Sequence, residues 1–204
     1  MTLWRKLSYE KLSTISINGA ILDLGGSRNA DYHKLIHGKH TFTTVNLDKA
    51  NGCDICADLE QVFPVKSDAY NAVVCMNILE HIFNYRQFLS EAHRTLCRGG
   101  TFIMLVPFLI QIHPSPHDYF RFSGEALERI LKEVGFKNIV VESLGHGSMS
   151  AGNQLLYNLQ KFAIIRIPNT FLSTWADRLI GLFDQKKFYG KERYPLGYFV
   201  TAKK

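Results

Sequence analysis

The chain has 204 residues, enough for one α/β domain with a sizeable core and too few for two large ones. Hydrophobic residues make up 46% and charged residues 21%, which excludes a disordered or low-complexity chain. The formal net charge is +6, and the whole excess lies in residues 155–204, with nine basic and three acidic residues. A neutral body with a basic end suits an acidic neighbour (phosphate, nucleic acid or anionic lipid) or a solvated basic face.

No leader is read near Trp4-Arg5-Lys6, because no apolar run follows it. The longest nearly apolar run, 101–110, is about half a membrane span and is interrupted by Pro107. The expectation is a cytoplasmic protein, with any peripheral membrane contact made through residues 148–190 and the basic C-terminal segment. The four cysteines form no disulfide framework. Cys53-Asp54-Ile55-Cys56 has metal-like spacing, but a closed zinc site needs four ligands and no second pair follows. No metal site is expected. Cys75 is assigned to a strand and Cys97 to a helix.

The first twenty residues read as a helix on Leu3, Leu7, Leu12 and Ile15. A short strand over 20–24 runs into glycines, and a second, rich in Thr and Val, covers 42–47. Residues 53–57 are either a stub strand at the sheet edge or a loop, since the linker from the second strand is too short for a helical crossover. A buried-type strand covers 71–76. Asn84 is expected to cap a helix with Phe88, Leu89, Ala92 and Leu96 inward, stopped by Gly99-Gly100. A strand over 101–106 follows. Ser123 caps a helix with Leu127, Ile130, Leu131 and Val134 on one face, and Gly135 ends it. Strands over 138–144 and 197–202 complete the order. Strands alternating with helices predict a mostly parallel sheet covered on both faces, in a single domain over 1–204.

Residues 148–190 break that alternation with two helical stretches. The second carries Phe171, Leu172, Trp175, Leu179, Leu182 and Phe183 on one face. This insertion is expected to pack on the core, to cover the site as a lid, to form a dimer face, or to lie on a membrane surface.

In such a sheet, ligands bind beyond the carboxyl ends of the strands. Asp23, Gly25, Gly26 and Ser27 follow the first strand, and glycines there let the backbone approach a ligand. Asp48 follows the second strand, where an acid can accept both ribose hydroxyls of an adenine nucleoside. Asp58-Leu59 could bond the adenine amino group and cover its ring. Asn77-Ile78-Leu79-Glu80-His81 follows the fourth strand, and a polar loop with His113, His117, Asp118 and Arg121 follows the fifth.

In that order, these segments resemble the class I S-adenosylmethionine-dependent methyltransferases, specifically the methyltransferase type 11 family. The matching stretches are Ile21 to Gly26, Val45 to Asp48, Ala57 to Glu60, Tyr70 to His81 and Leu96 to Thr101. The segment His117-Asp118-Tyr119-Phe120-Arg121-Phe122-Ser123 is similar to a signature of members found among polysaccharide-modifying enzymes. The resemblance covers about 15–145 and the closing strand. It implies a Rossmann-like, doubly wound sheet of seven strands, the last antiparallel. It also implies S-adenosylmethionine with Gly25 under its methionine, Asp48 on its ribose, Asp58 and Leu59 on its adenine, and Asn77 near its sulfonium. Where the family has further glycines, this chain has Ser27 and Asn29, which could donate hydrogen bonds to the carboxylate. Asn71 replaces the usual Asp.

The sulfonium is an activated donor, so aligning the acceptor outweighs a base. If a base acts, His81, His113 and His117 are the candidates. Asp118 and Arg121 are expected to pair and shape the loop. The absence of Asn/Asp-Pro-Pro-Tyr after the fourth strand argues against a planar nitrogen acceptor and for an oxygen of a small-molecule or saccharide-type acceptor. No specific nucleic-acid partner is expected. Two rivals remain: a nicotinamide oxidoreductase, from Gly25-x-Ser27-x-x-Ala30 with Asp48, and a non-catalytic scaffold whose basic, amphipathic end binds a membrane or protein.

Overall fold

The computed structural model describes residues 1–156, 163–184 and 188–204. Seven strands form one sheet: β1 (Gly19–Leu24), β2 (His40–Asn46), β3 (Ile55–Cys56), β4 (Tyr70–Met76), β5 (Leu96–Pro107), β6 (Lys137–Leu144) and β7 (Gly197–Lys203). Their order across the sheet is β3-β2-β1-β4-β5-β7-β6. All run parallel except β7, which lies antiparallel between β5 and β6. The architecture is therefore Rossmann-like with an antiparallel last strand, as the sequence led us to expect.

Period-2 alternation divides the strand residues between two cores. Leu22, Leu24, Val73, Cys75, Phe102, Met104 and Val106 face one layer, built by α2 (Tyr85–Thr95) and α3 (Gly124–Val134). Ile21, Ala72, Val74, Ile103 and Leu105 face the other, covered by α1 (Leu3–Leu12) and by Ala151 of α4 (Ser148–Leu155).

Several boundaries differ from the pattern-based expectation. The first helix stops at Leu12, because the Ser13 and Thr14 hydroxyls bond the carbonyls of Glu10 and Lys11 and turn the chain. Residues 53–57 resolve as the stub: Ile55 and Cys56 pair with Val45 and Asn46 at the sheet edge. Helix α2 ends at Thr95, not at Gly99-Gly100. Leu96 already pairs with Tyr70, so Cys97 lies in a strand and not in a helix. Asn84 stands at the N-cap of α2 but its side chain makes no capping bond. The Glu60 carboxylate accepts from the Phe83 and Asn84 amides instead, a negative charge at a helix N-terminus. Ser123 and Gly135 cap α3 as expected.

The insertion forms α4 and α5 (Ala163–Phe183). Asp177 of α5 is buried and accepts from the Met149 and Ser150 amides, so it caps α4. The face of α5 that turns inward thus carries Ser173 and Asp177. Phe171, Leu172, Trp175, Leu182 and Phe183 are exposed.

The loop between β3 and β4 has no helix and is held from α2. Glu91 accepts from the Phe63 amide and pairs with Arg94, whose guanidinium donates to the carbonyls of Phe63 and Val65. Glu91→Ala is expected to cost about 2 kcal/mol in urea unfolding, because the Phe63 amide and the Arg94 donors lose their buried acceptor. Arg86→Ala, which breaks the exposed pair with Glu133, should leave the midpoint unchanged.

Candidate active site

The carboxyl end of β1 is built around a buried charge. Asp23 is fully buried, and its Oδ2 accepts from Tyr32 Oη at 2.7 Å and contacts His33 Nε2 at 2.7 Å. Burial raises the Asp23 pKa, against the lowering effect of the His33 and Tyr32 hydrogen bonds. Burial, and then the Asp23 charge, push the Tyr32 phenol far above its ordinary range. The His33 ring stacks on Phe42 of β2 at 3.7 Å. Tyr32 and His33 sit on a 3-10 turn, Asp31–Leu35. No α-helix follows the glycine turn.

The turn itself is sterically exacting. Gly25 has φ +85°, and a Cβ there would lie 2.1 Å from Ile78 Cδ1. A Cβ on Gly26 would lie 1.9 Å from Asp23 Oδ2 and 2.7 Å from Oδ1. The carboxylate thus fills the space a side chain would need. Asn46 Nδ2 donates to the carbonyls of both glycines, at 2.8 and 3.1 Å. Ser27 is half-buried and its carbonyl accepts from the Ala30 amide.

Asp48 is exposed just past β2 and caps the next 3-10 turn by accepting from the Ala50 amide at 2.8 Å. Asp58 is exposed and accepts from the Glu60 amide. The Leu59 side chain is 6% exposed and belongs to the core of α2 and α3. Asn77 holds φ +55°, a left-handed conformation that asparagine tolerates better than most residues. Its Oδ1 accepts from Trp4 Nε1 at 3.2 Å. Helix α1 therefore lies across the strand ends, and a cavity of about 550 Å³ opens between them, lined by Trp4, Tyr9, Tyr32, Met76, Asn77 and Leu105. That volume is in the range of a small-molecule site. Trp4, Tyr32, His33 and Asn46 carry no local sequence signal. Their partners lie between nine and 73 residues away.

A second group forms beyond β4 and β5. Glu80 is fully buried. Its Oε1 lies 3.7 Å from His81 Nε2 and 3.5 Å from His113 Nε2. The Glu80 carboxylate raises the His113 pKa, outweighing burial. Asp118 accepts from the His113 amide at 2.9 Å and is clamped through both oxygens by Arg121, as expected of the pair. The Arg121 guanidinium holds the Asp118 carboxyl down at about 2. His117 is exposed, and only its carbonyl reaches the group, accepting from His81 Nδ1. The structure thus brings His81 and His113 together around Glu80 and leaves the His117 ring outside.

Residues 29–104 match the family model described as "Methyltransferase domain", a stretch that begins just past the glycine turn and runs into β5. In that stretch the chain is similar to S-adenosylmethionine-dependent methyltransferases. A curated relative, a probable S-adenosylmethionine-dependent methyltransferase from Mycolicibacterium smegmatis, is 29% identical over 93 residues, 42% of this chain. Those residues span only 35% of the relative's own length. An S-adenosylmethionine-dependent methyltransferase structure from Archaeoglobus fulgidus aligns with a TM-score of 0.62 at 16% identity, over 98% of this chain and 94% of that one. Phosphoethanolamine N-methyltransferase 2 from Haemonchus contortus, in complex with S-adenosylmethionine, aligns at 0.59 and 16%, over 98% and 52%. At such identities these two structures establish the fold alone. The short 3-10 connection after Gly25-Gly26 leaves no helix N-terminus for a diphosphate, which counts against a nicotinamide dinucleotide.

Gly26→Ala is expected to destabilise the protein by about 1–3 kcal/mol in thermal unfolding, as a buried overpacking mutation does. Its φ is ordinary, so the cost is the clash with Asp23. The measured signature is loss of the His33–Asp23 hydrogen bond in the histidine NMR spectrum.

Proposed function

We propose that the chain binds S-adenosylmethionine at the carboxyl ends of β1, β2 and β4 and methylates an oxygen of a small-molecule or saccharide-type acceptor. The observation that carries this reading is the Asp23 carboxylate. It is buried beneath Gly26, and its Oδ1 accepts no hydrogen bond among the described residues. The carboxylate leaves no room for a side chain at Gly26, so the turn presents bare backbone, which a bound methionine can approach closely. The backbone of Gly25, Gly26 and Ser27, with Asp23, would hold the methionine end. Asp48 would hold the ribose. Asp58 and the Leu59 backbone would hold the adenine, the Leu59 side chain being committed to the core. Asn77, fixed by Trp4, would face the sulfonium.

When bound, the cofactor supplies a methyl group already activated on sulfur. The task left to the protein is alignment, worth up to about 7–11 kcal/mol, against roughly 3–5 kcal/mol for a general base. Glu80, His81 and His113, at the ends of the adjoining strands, are the polar groups an acceptor oxygen would meet. Oxygen is favoured because Asn77-Ile78-Leu79-Glu80 lacks the Asn/Asp-Pro-Pro-Tyr pattern of planar nitrogen acceptors. Calorimetry should show binding of S-adenosylhomocysteine and none of NAD, and Asp48→Ala should weaken the former by at least about tenfold, or roughly 1.4 kcal/mol. Absence of binding by either ligand would favour a scaffold without cofactor. Labelled methyl transferred into fractionated extract should be recovered on oxygen, and a methylamine product would reassign the acceptor atom.

We also propose that α5 contacts an anionic membrane surface. Among the described residues, no helix is long and apolar enough to cross a membrane. The exposed row Phe171, Trp175 and Leu182, together with the basic excess of residues 155–204, supports a helix lying in the interface. Co-sedimentation with phosphatidylglycerol vesicles should be lost in Phe171→Glu/Trp175→Glu. A dimer in light scattering that the same variants dissociate would assign the row to a second copy instead.

A further inference from the structure

We propose that Glu80, His81 and His113 form a site for one divalent transition-metal ion, with zinc the representative occupant. The argument rests on where the lone pairs point. His81 Nδ1 donates to the His117 carbonyl at 2.5 Å, and His113 Nδ1 lies 2.9 Å from the Gln111 carbonyl. A carbonyl only accepts, so in each neutral ring the hydrogen sits on Nδ1 and Nε2 presents a lone pair. Both Nε2 atoms face Glu80 Oε1, at 3.7 and 3.5 Å. Three acceptors therefore converge. Glu80 is fully buried, and neither of its carboxylate oxygens takes a hydrogen bond among the described residues. The Tyr119 and Phe120 amides go to the Glu80 carbonyl, and the Arg121 guanidinium is committed to Asp118 and three backbone carbonyls. Among the described residues, Arg121 is engaged by Asp118 and His113 compensates the carboxylate only when protonated, a place a bound cation would take instead.

The spacing suits a metal. Ligands about 2.1 Å from a tetrahedral ion stand about 3.4 Å from one another. The three ligand atoms lie within 4.8 Å of each other, and the two contacts to Glu80 are near that ideal. A set of two imidazoles and one carboxylate selects zinc and its first-row neighbours over calcium or magnesium. The outer partners are also those of a metal site, with each ligating histidine donating its other N–H to a backbone carbonyl. On the His113 side, Asp118 Oδ2 lies a further 3.4 Å from Nδ1. Three protein ligands leave a position open. His113, whose side chain is 36% exposed, puts that position toward solvent. Such an ion would take an oxygen ligand and lower its pKa. Assigning that oxygen to the methyl acceptor rests on the methyltransferase reading above, but the residence of the ion does not.

The test uses the tag-free full chain after chelator treatment, with Co2+ alone as the probe. One equivalent should bind and give the visible bands of a tetrahedral nitrogen–oxygen site, displaced by Zn2+. Glu80→Gln and His113→Ala should each weaken binding by more than the roughly 10–100-fold that loss of an outer partner costs. Cys56→Ser should bind unchanged. His113 is partly exposed, so its alanine variant serves should Glu80→Gln fail to fold. The site is overturned by folded protein that yields no stoichiometric cobalt spectrum. It is equally overturned by binding indifferent to His113→Ala, or by a thiolate charge-transfer band that Cys56→Ser abolishes. Calorimetry with S-adenosylhomocysteine on the same sample separates the two readings. Cobalt bound without that ligand leaves the ion site standing and removes the methyltransferase assignment, and the reverse removes the ion site alone.

Discussion

The carboxyl end of this sheet depends on a carboxylate kept out of water. Asp23 ends β1 on the face covered by α1, where a charge costs several kcal/mol unless it is hydrogen-bonded. Its requirements shape what surrounds it. Gly26 must lack a side chain because the carboxylate occupies that space. Tyr32 and His33 must stand close, so the connection to β2 closes as a 3-10 turn, and His33 is in turn stacked on Phe42. With no helix there to hold the glycine carbonyls, Asn46 takes them from the neighbouring strand.

Glu80 repeats the situation beyond β4. Like Asp23, it is a fully buried carboxylate with at least one oxygen that takes no hydrogen bond among the described residues. The difference lies in the partners. Asp23 meets a phenol and an imidazole within hydrogen-bond distance, whereas Glu80 meets two imidazoles at 3.5 and 3.7 Å whose Nδ1 atoms face backbone carbonyls. One carboxylate is built into a wall, and the other faces an opening at His113. The first thereby shapes the glycine turn from behind, and the second is the acid of the proposed ion site.

Much of this was legible in the chain itself. Short apolar or Thr- and Val-rich runs located every long strand, and Ser123 with Gly135 bounded α3, because those signals act within a few neighbouring residues. The order of Gly25, Asp48, Asp58 and Asn77 was readable for the same reason, as each follows a strand. Errors arose where tertiary contacts outweighed local preference. Gly99-Gly100 looks like a helix stop, yet the partner of Leu96 across the sheet is Tyr70, and pairing begins there. Asn84 looks like a cap, yet Glu60 is near enough to do that work. The row of aromatic residues on α5 looks like an inward face, yet the buried demand of the α4 amides draws Asp177 inward instead. Trp4, Tyr32, His33 and the meeting of Glu80 with His113 are properties of strand adjacency and have no signature in a window of sequence.

The position of β7 carries a consequence for how the molecule is made. The strand lies between β5 and β6 and, among the described residues, is the only sheet neighbour of β6. Between β6 and β7 in the chain comes the whole of α4 and α5. During synthesis β6 therefore emerges with nothing to pair with, and it must wait for about fifty further residues before its edge is covered. Long-range closures of this kind are slow, and an unpaired strand is prone to association in the interval. The half of the sheet from β3 to β5 can assemble as the chain emerges, while α3 and β6 stay provisional until Gly197–Lys203 slots between them and β5. Quality of folding in this protein is thus decided late, by its closing strand, and a ribosome that stalls inside the insertion would leave an open-edged sheet.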